Sequence, residues 1–432
     1  TGADLKAAGA LTCRVGGSID IQALSVENSR QRIDTLTNER SYTLNNGEIE
    51  TTGLTASGST VTTHIDGQIR HQVSTLEAGG KLDLESGGST LIVGARVKSG
   101  EETRIVAGGH LALGAVVDST HVEQRLTIRV EGAAILPGLP TASGESFELT
   151  HADTTVGGQL DAGGPTTLQA GGSLILSGQR INSGGDTRLA GESVVLDGLT
   201  LENRQEARNI GSTVVSLDAQ SRHAGTVIHS AGSLEIIATG SPADAASTAG
   251  SLRGSGVQLE AGTKLTLAAE GDITLEAGRN TEDFEVRNRS GTSIVQRSRD
   301  ESVRNVLSGD AISLAGRNVT LEAASLTTPG KVNIAARESL ALTASTDLVS
   351  ELTLNVTKSG GWFSKRTTTT EHTEQNLLAA TTRIDAQDIQ LQSGGDLDLF
   401  GTRLNASGEA RLSAGGELHA YAVQDVHSVM DR

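Results

Sequence analysis

Apolar and polar residues alternate along this chain in short bursts, and each burst follows a glycine. The phrase Gly-x-apolar-x-apolar occurs at Gly80-Lys81-Leu82-Asp83-Leu84, Gly109-His110-Leu111-Ala112-Leu113, Gly172-Ser173-Leu174-Ile175-Leu176 and Gly395-Asp396-Leu397-Asp398-Leu399. It returns in varied form at Thr263-Lys264-Leu265-Thr266-Leu267 and Gly416-Glu417-Leu418-His419-Ala420. A period of two predicts a strand with one buried face, and the glycine ahead of it predicts a turn. The bursts are too short, and the punctuation too dense, for a helix of ordinary length.

The spacing of the bursts decides the architecture. Ile312 to Val332 is 20 residues; Val319 to Leu340, Ile389 to Ala410 and Leu397 to Leu418 are each 21. Shorter steps of 7 or 8 residues subdivide that period, as from Leu265 to Ile273. Each period therefore holds two or three strands, and a strict period of this length predicts stacked coils instead of a globule. The expected fold is all-β: a right-handed parallel β-helix, or β-solenoid, of about 20–21-residue coils with extra-helical β-hairpin insertions. Allowing for the insertions, roughly 14 to 17 coils are expected, a rod on the order of 70 to 80 Å long.

Composition supports the coil over a β-sandwich. Aromatic residues are 2% of the chain, too few for the thick core that two facing sheets enclose. The 53 glycines suit tight corners, and the 5 prolines suit a backbone whose N–H groups nearly all pair with a neighbouring coil. The net charge of −17 argues against nucleic acid as a partner, which needs a basic stripe, and against charge-driven docking on anionic lipid. Cys13 is alone, so no internal disulfide forms, and it is expected to be a small buried hydrophobe.

The glycine-led phrase lapses at residues 26–46, 118–130, 201–223, 281–307 and 350–375. These stretches read as strands or hairpins leaving one face of the rod, or as degenerate coils. In the last, Leu352, Leu354 and Val356 alternate up to Ser359-Gly360-Gly361, and Arg366-Thr367-Thr368-Thr369-Thr370 runs back. Alternation, a glycine turn and a β-branched return predict a hairpin. Its tip carries Trp362, Phe363, Lys365 and Arg366, the candidate interaction residues, since an exposed aromatic-basic tip can serve as a contact point. The bland alternative is that Trp362 and Phe363 fold back as a lid on the solenoid.

The rungs, together with Lys358-Ser359-Gly360-Gly361-Trp362-Phe363-Ser364-Lys365-Arg366-Thr367 and the fresh rungs from Ile384 to Leu397, resemble the haemagglutinin-repeat region of two-partner-secreted exoproteins. These are filamentous haemagglutinins and the stalks of contact-dependent growth inhibition effectors. The likeness is greatest over about 255–430. It divides a single solenoid into a looser array, 1–254, and C-terminal haemagglutinin-type repeats, 255–432, with insertions at about 281–307 and 343–383. The resemblance implies a filament segment of a longer secreted protein at the bacterial cell surface, an adhesin stalk or a carrier for contact-dependent toxin delivery. Its implied partners are an outer-membrane two-partner secretion pore and a receptor or outer membrane on a host or neighbouring cell.

The alternatives on a solenoid are a polysaccharide-active enzyme and a phage-type spike. An enzyme would align carboxylates at 21-residue intervals along one outward strand, often with calcium and sugar-stacking aromatics. Asp83 and Asp398 hold such a position, but its equivalents are Ala112, Ile175 and Thr266. The ten histidines lack metal-ligand spacing, and no Gly-Gly-x-Gly-x-Asp calcium repeat recurs. No catalytic residue, cofactor or metal is expected.

Overall fold

The computed structural model describes residues 2–46, 49–132, 142–208, 214–240, 249–288, 292–359 and 366–432. Among them every regular element is a strand. Three parallel sheets run the length of the molecule, each with one strand from every coil. The first begins at Asp4–Ala7 and ends at Thr402–Ala406, and the second begins at Leu11–Val15 and ends at Ala410–Ala414. The third begins at Ile19–Gln22 and ends at Leu418–Tyr421. The chain visits the sheets in the order one, two, three, eleven times over. Eleven coils at about 4.8 Å make a rod of about 50 Å. The fold class is the expected parallel β-helix, but the expected 14 to 17 coils are too many, because the hairpins consume more chain than the sequence pattern marks.

The register explains why medium aliphatic side chains dominate. Leu160, Ile181, Ile228, Leu259, Leu307 and Leu326 occupy one inward position on consecutive coils, each directly opposite the next. All six are buried. A side chain stacked on near-copies of itself must match them in size, which aromatics would not do in so narrow a bore. Where the first sheet turns into the second, glycine stacks on glycine. A Cβ at Gly100 would overlap the Gly79 carbonyl oxygen, and one at Gly163 would overlap that of Gly100. Cys13 sits half-buried against the end of this aliphatic core, less enclosed than expected.

The five lapses in the repeat are hairpins, and all leave the rod at the same corner, between the third sheet and the first. Their arms are Leu24–Asn46 with Ile49–Gln72, Leu111–Gly132 (whose first residues belong to the third sheet) with Ala142–Gly157, and Leu199–Arg208 with Val214–Ala224. The last two are Gly278–Asn288 with Ser293–Val303, and Ser345–Ser359 with Arg366–Ala380. Each hairpin also pairs antiparallel with the next, and Val426–Asp431 pairs with the last. The outcome is one lateral antiparallel sheet of eleven strands beside eleven coils.

Candidate functional site

Hairpins occur on every second coil, and strand spacing dictates that rhythm. Adjacent strands stand about 4.8 Å apart both in the rod and in the lateral sheet. A hairpin is two strands wide, so it matches the height of two coils. One on every coil would crowd the lateral sheet, and one on every third would leave it broken. Each hairpin leaves an odd-numbered coil and returns into the next, even-numbered one. The even coil then passes directly from the third sheet to the first through a residue with positive φ: Gly94, Gly178, Gly256, Ala323 or Gly401. At Gly94 a Cβ would lie 2.5 Å from Ala23 Cβ and 2.9 Å from Val116 Cγ2, so glycine is needed for space as well as for backbone conformation. The N–H of each corner residue donates to a carbonyl of the following coil, from 2.8 Å at Gly94 to Gly114 to 3.0 Å at Ala323 to Thr343.

Beside these corners sit polar residues that the sequence pattern does not reveal. Ser74, Thr226, Asn305 and Thr382 each lie two residues past the end of a hairpin's return arm, and each is fully buried. Asn305 donates to the carbonyls of Glu276 (2.9 Å) and Glu322 (3.1 Å) and accepts from the Val257 N–H at 3.1 Å. Thr382 donates to the Thr343 carbonyl at 2.6 Å and accepts from the Ala324 N–H at 3.1 Å. These side chains satisfy backbone groups exposed where the sheet forks. At the second hairpin the position is Gly158, with positive φ, where a Cβ would collide with Ala115.

A second device closes each seam between hairpins. Asp118 accepts from the His71 N–H (2.8 Å), Asn280 from His223 (2.8 Å), Asp347 from Ser302 (2.8 Å) and Asp425 from Ala379 (2.8 Å). Each of these four lies 24 residues after its positive-φ corner. At the remaining seam the roles reverse, and Asp153 accepts from the Glu202 N–H at 3.1 Å. The offset of 24 is a sequence signal, but it stands out only once the corners are known.

Away from the junction with the rod, none of the lateral sheet's described side chains is buried, so the sheet is a single layer open on both faces. It is held by its ladders and by rows of long side chains across strands. Phe147 lies in one row between the guanidiniums of Arg125 (5.6 Å) and Arg208 (5.9 Å). Glu206 bridges Arg204 and Arg208 at 2.9 and 2.8 Å. Burial pushes its carboxyl upward, but the two guanidiniums outweigh that and hold it below its usual range.

Of the sequence-predicted contact residues, Arg366 is exposed and opens the return arm opposite Ser359, at the far end of the last hairpin. Trp362, Phe363 and Lys365 lie outside the described residues. Arms of 15 residues put the Ser359–Arg366 pair roughly 50 Å out along the strands from the junction. Exposed apolar side chains on the lateral sheet include Ile33, Leu36, Leu378 and Val429. No group of three His, Cys, Asp or Glu that could hold a metal occurs among the described residues, and no helix among them is long and apolar enough to cross a membrane.

A coil of short parallel strands with one lateral sheet defines a repeat protein. The chain belongs to the haemagglutinin-repeat family, whose model matches residues 1–127, 211–305 and 308–431. Membership supports a filamentous haemagglutinin-like stalk or adhesin in a surface-associated exoprotein. No curated protein and no solved structure matches the chain significantly.

Proposed function

We propose that this chain is a non-enzymatic spacer segment of a bacterial surface filament, exported unfolded through an outer-membrane two-partner secretion pore and folded outside the cell. The observation that carries the reading is the haemagglutinin-repeat match across most of a chain that forms a rod. The rod's backbone is satisfied coil on coil, so its length can grow without any new kind of contact. In this reading the segment serves as an adhesin stalk or as a carrier for contact-dependent toxin delivery. Contact with a host or neighbouring cell is made through the Trp362, Phe363, Lys365 and Arg366 tip. No cofactor or nucleic acid takes part.

Two measurements test this. Antibody raised against the rod should label intact producing cells, and labelling should vanish when the pore partner is deleted; labelling that persists without the pore refutes the export route. Deleting 358–366 should abolish attachment or delivery while the circular dichroism of the rod stays unchanged. Attachment that survives the deletion makes the tip a lid or a spacer.

A further inference from the structure

The alternation of hairpins and corners divides the rod into pairs of coils. An odd coil and the even coil after it share one hairpin. The even coil reaches the next odd coil through one positive-φ corner with no lateral strand between them. The corners at 94, 178, 256, 323 and 401 bound units of 84, 78, 67 and 78 residues. Within a unit the two arms of the hairpin pair along more of their length than hairpins do across a seam. The last hairpin pairs over 15 residues, and its seam with Val426–Asp431 over 6. The second pairs over 16, and its seam with the third over 6. The same order holds at the first hairpin, 22 against 14, and by a narrow margin at the third and fourth, each 10 against 8, so in the lateral sheet the shorter ladder recurs every second coil.

We propose that the rod folds and unfolds in units of two coils and one hairpin, with Asp118, Asn280, Asp347 and Asp425 acting as latches that join each unit to the one before it.

The coupling inside a unit follows from its connectivity. Unfolding an even coil pulls away the return arm and strips the outgoing arm of its longest ladder, so the odd coil loses its lateral strand as well. Between units the three parallel ladders of the rod are as long as they are within a unit, so the difference lies in the lateral sheet, where a seam offers a shorter ladder, one corner hydrogen bond and one latch. The latch also gives the array a direction. The N–H groups of His71, His223, Ser302 and Ala379 are at the base of return arms; the acceptors of the first three come from the outgoing arm of the following unit, and that of Ala379 is Asp425, just ahead of Val426–Asp431. A finished unit thus presents a half-made seam that the next unit completes. This inference does not depend on the route of export, so its failure would leave the proposed function standing.

Single-molecule force spectroscopy of the full chain, pulled from its two ends, tests it. At about 3.5 Å per residue, units of 67 to 84 residues release about 23 to 29 nm of chain each. Steps in that range are the expected result. A series of steps near 7 nm, the length of a bare coil of about 20 residues, overturns the proposal, and so does one release of the whole chain. Asp347→Ala removes the latch between Ala324–Gly401 and the unit before it, and should lower that unit's release force without changing its step length. An unchanged force would show that the carboxylate is not a latch.

Discussion

Thr382→Val isolates one buried hydrogen-bonding group in the corner architecture. Valine keeps the shape of threonine, so no cavity opens and the aliphatic core is untouched. Three groups are affected. The Thr343 carbonyl retains the Ala323 N–H at 3.0 Å, so it keeps a partner. The Leu321 carbonyl loses only a long contact of 3.4 Å. The Ala324 N–H loses the Thr382 hydroxyl at 3.1 Å and is left facing a methyl group. Thr382 is fully buried, so water does not replace the lost acceptor. An orphaned buried donor costs about 1–3 kcal/mol, and the substitution is expected to fall in that range. A repeat array need not unfold in one step, so a global melting curve is the wrong readout. Amide hydrogen exchange is local: the Ala324 amide and its corner neighbours should exchange about 5- to 150-fold faster, while the first four coils are unaffected. Protection of Ala324 within twofold of the parent protein would refute the reasoning.

Two further outcomes follow from the same geometry. Gly401→Ala forces a side chain onto a left-handed backbone (φ +59) with its Cβ 2.5 Å from Val423 Cγ2 and 2.8 Å from Ala344 Cβ. It should destabilise the last coils by about 2 kcal/mol or more, whereas Ala323→Gly at the equivalent corner (φ +45) should shift stability by less than about 1 kcal/mol; urea unfolding monitored by local exchange compares them. The last coil should also be sensitive to alkali. Hydrogen bonds to Asp398 (2.9 Å) and then Glu417 (2.8 Å) raise the His419 pKa above its ordinary value of about 6.5. A raised folded pKa gives stabilisation that is fully present below about pH 6.5 and lost as pH rises through the folded value. Exchange at Leu418–Tyr421, corrected for intrinsic rates, should therefore speed up as pH rises above about 6.5 in the parent protein and not in His419→Gln.

The coils were legible because their cause is local. Glycine followed by alternating leucines specifies a turn and a half-buried strand, and the 20- to 21-residue interval from Ile312 to Val332 or from Leu397 to Leu418 specifies stacking. The coil number was not, because the arms Ile49–Gln72 and Ala142–Gly157 alternate and turn much as coils do. Thr60-Val61-Thr62 has no inward leucine, yet polar strands of that kind also occur on the outer faces of coils. The lateral sheet was invisible for a different reason. Each hairpin reads as a hairpin, but its pairing with the next depends on the height of the rod between them, which no single segment encodes. The junction residues were missed because Thr382, Asn305 and Asp347 are ordinary turn residues until the fork of the backbone gives them donors to accept from.

Cysteine cross-linking across a seam tests most directly whether coils and hairpins share one lattice. Ser298 and Ser350 come from successive hairpins, 52 residues apart, and stand directly opposite each other in the lateral sheet. In a Cys13→Ala background, Ser298→Cys with Ser350→Cys should oxidise rapidly to an intramolecular disulfide. Ser298→Cys with Val349→Cys, one residue out of register and on the opposite face, should not. Equal cross-linking of both pairs, or of neither, would mean that the hairpins are independent appendages and that the two-coil rhythm has no structural basis.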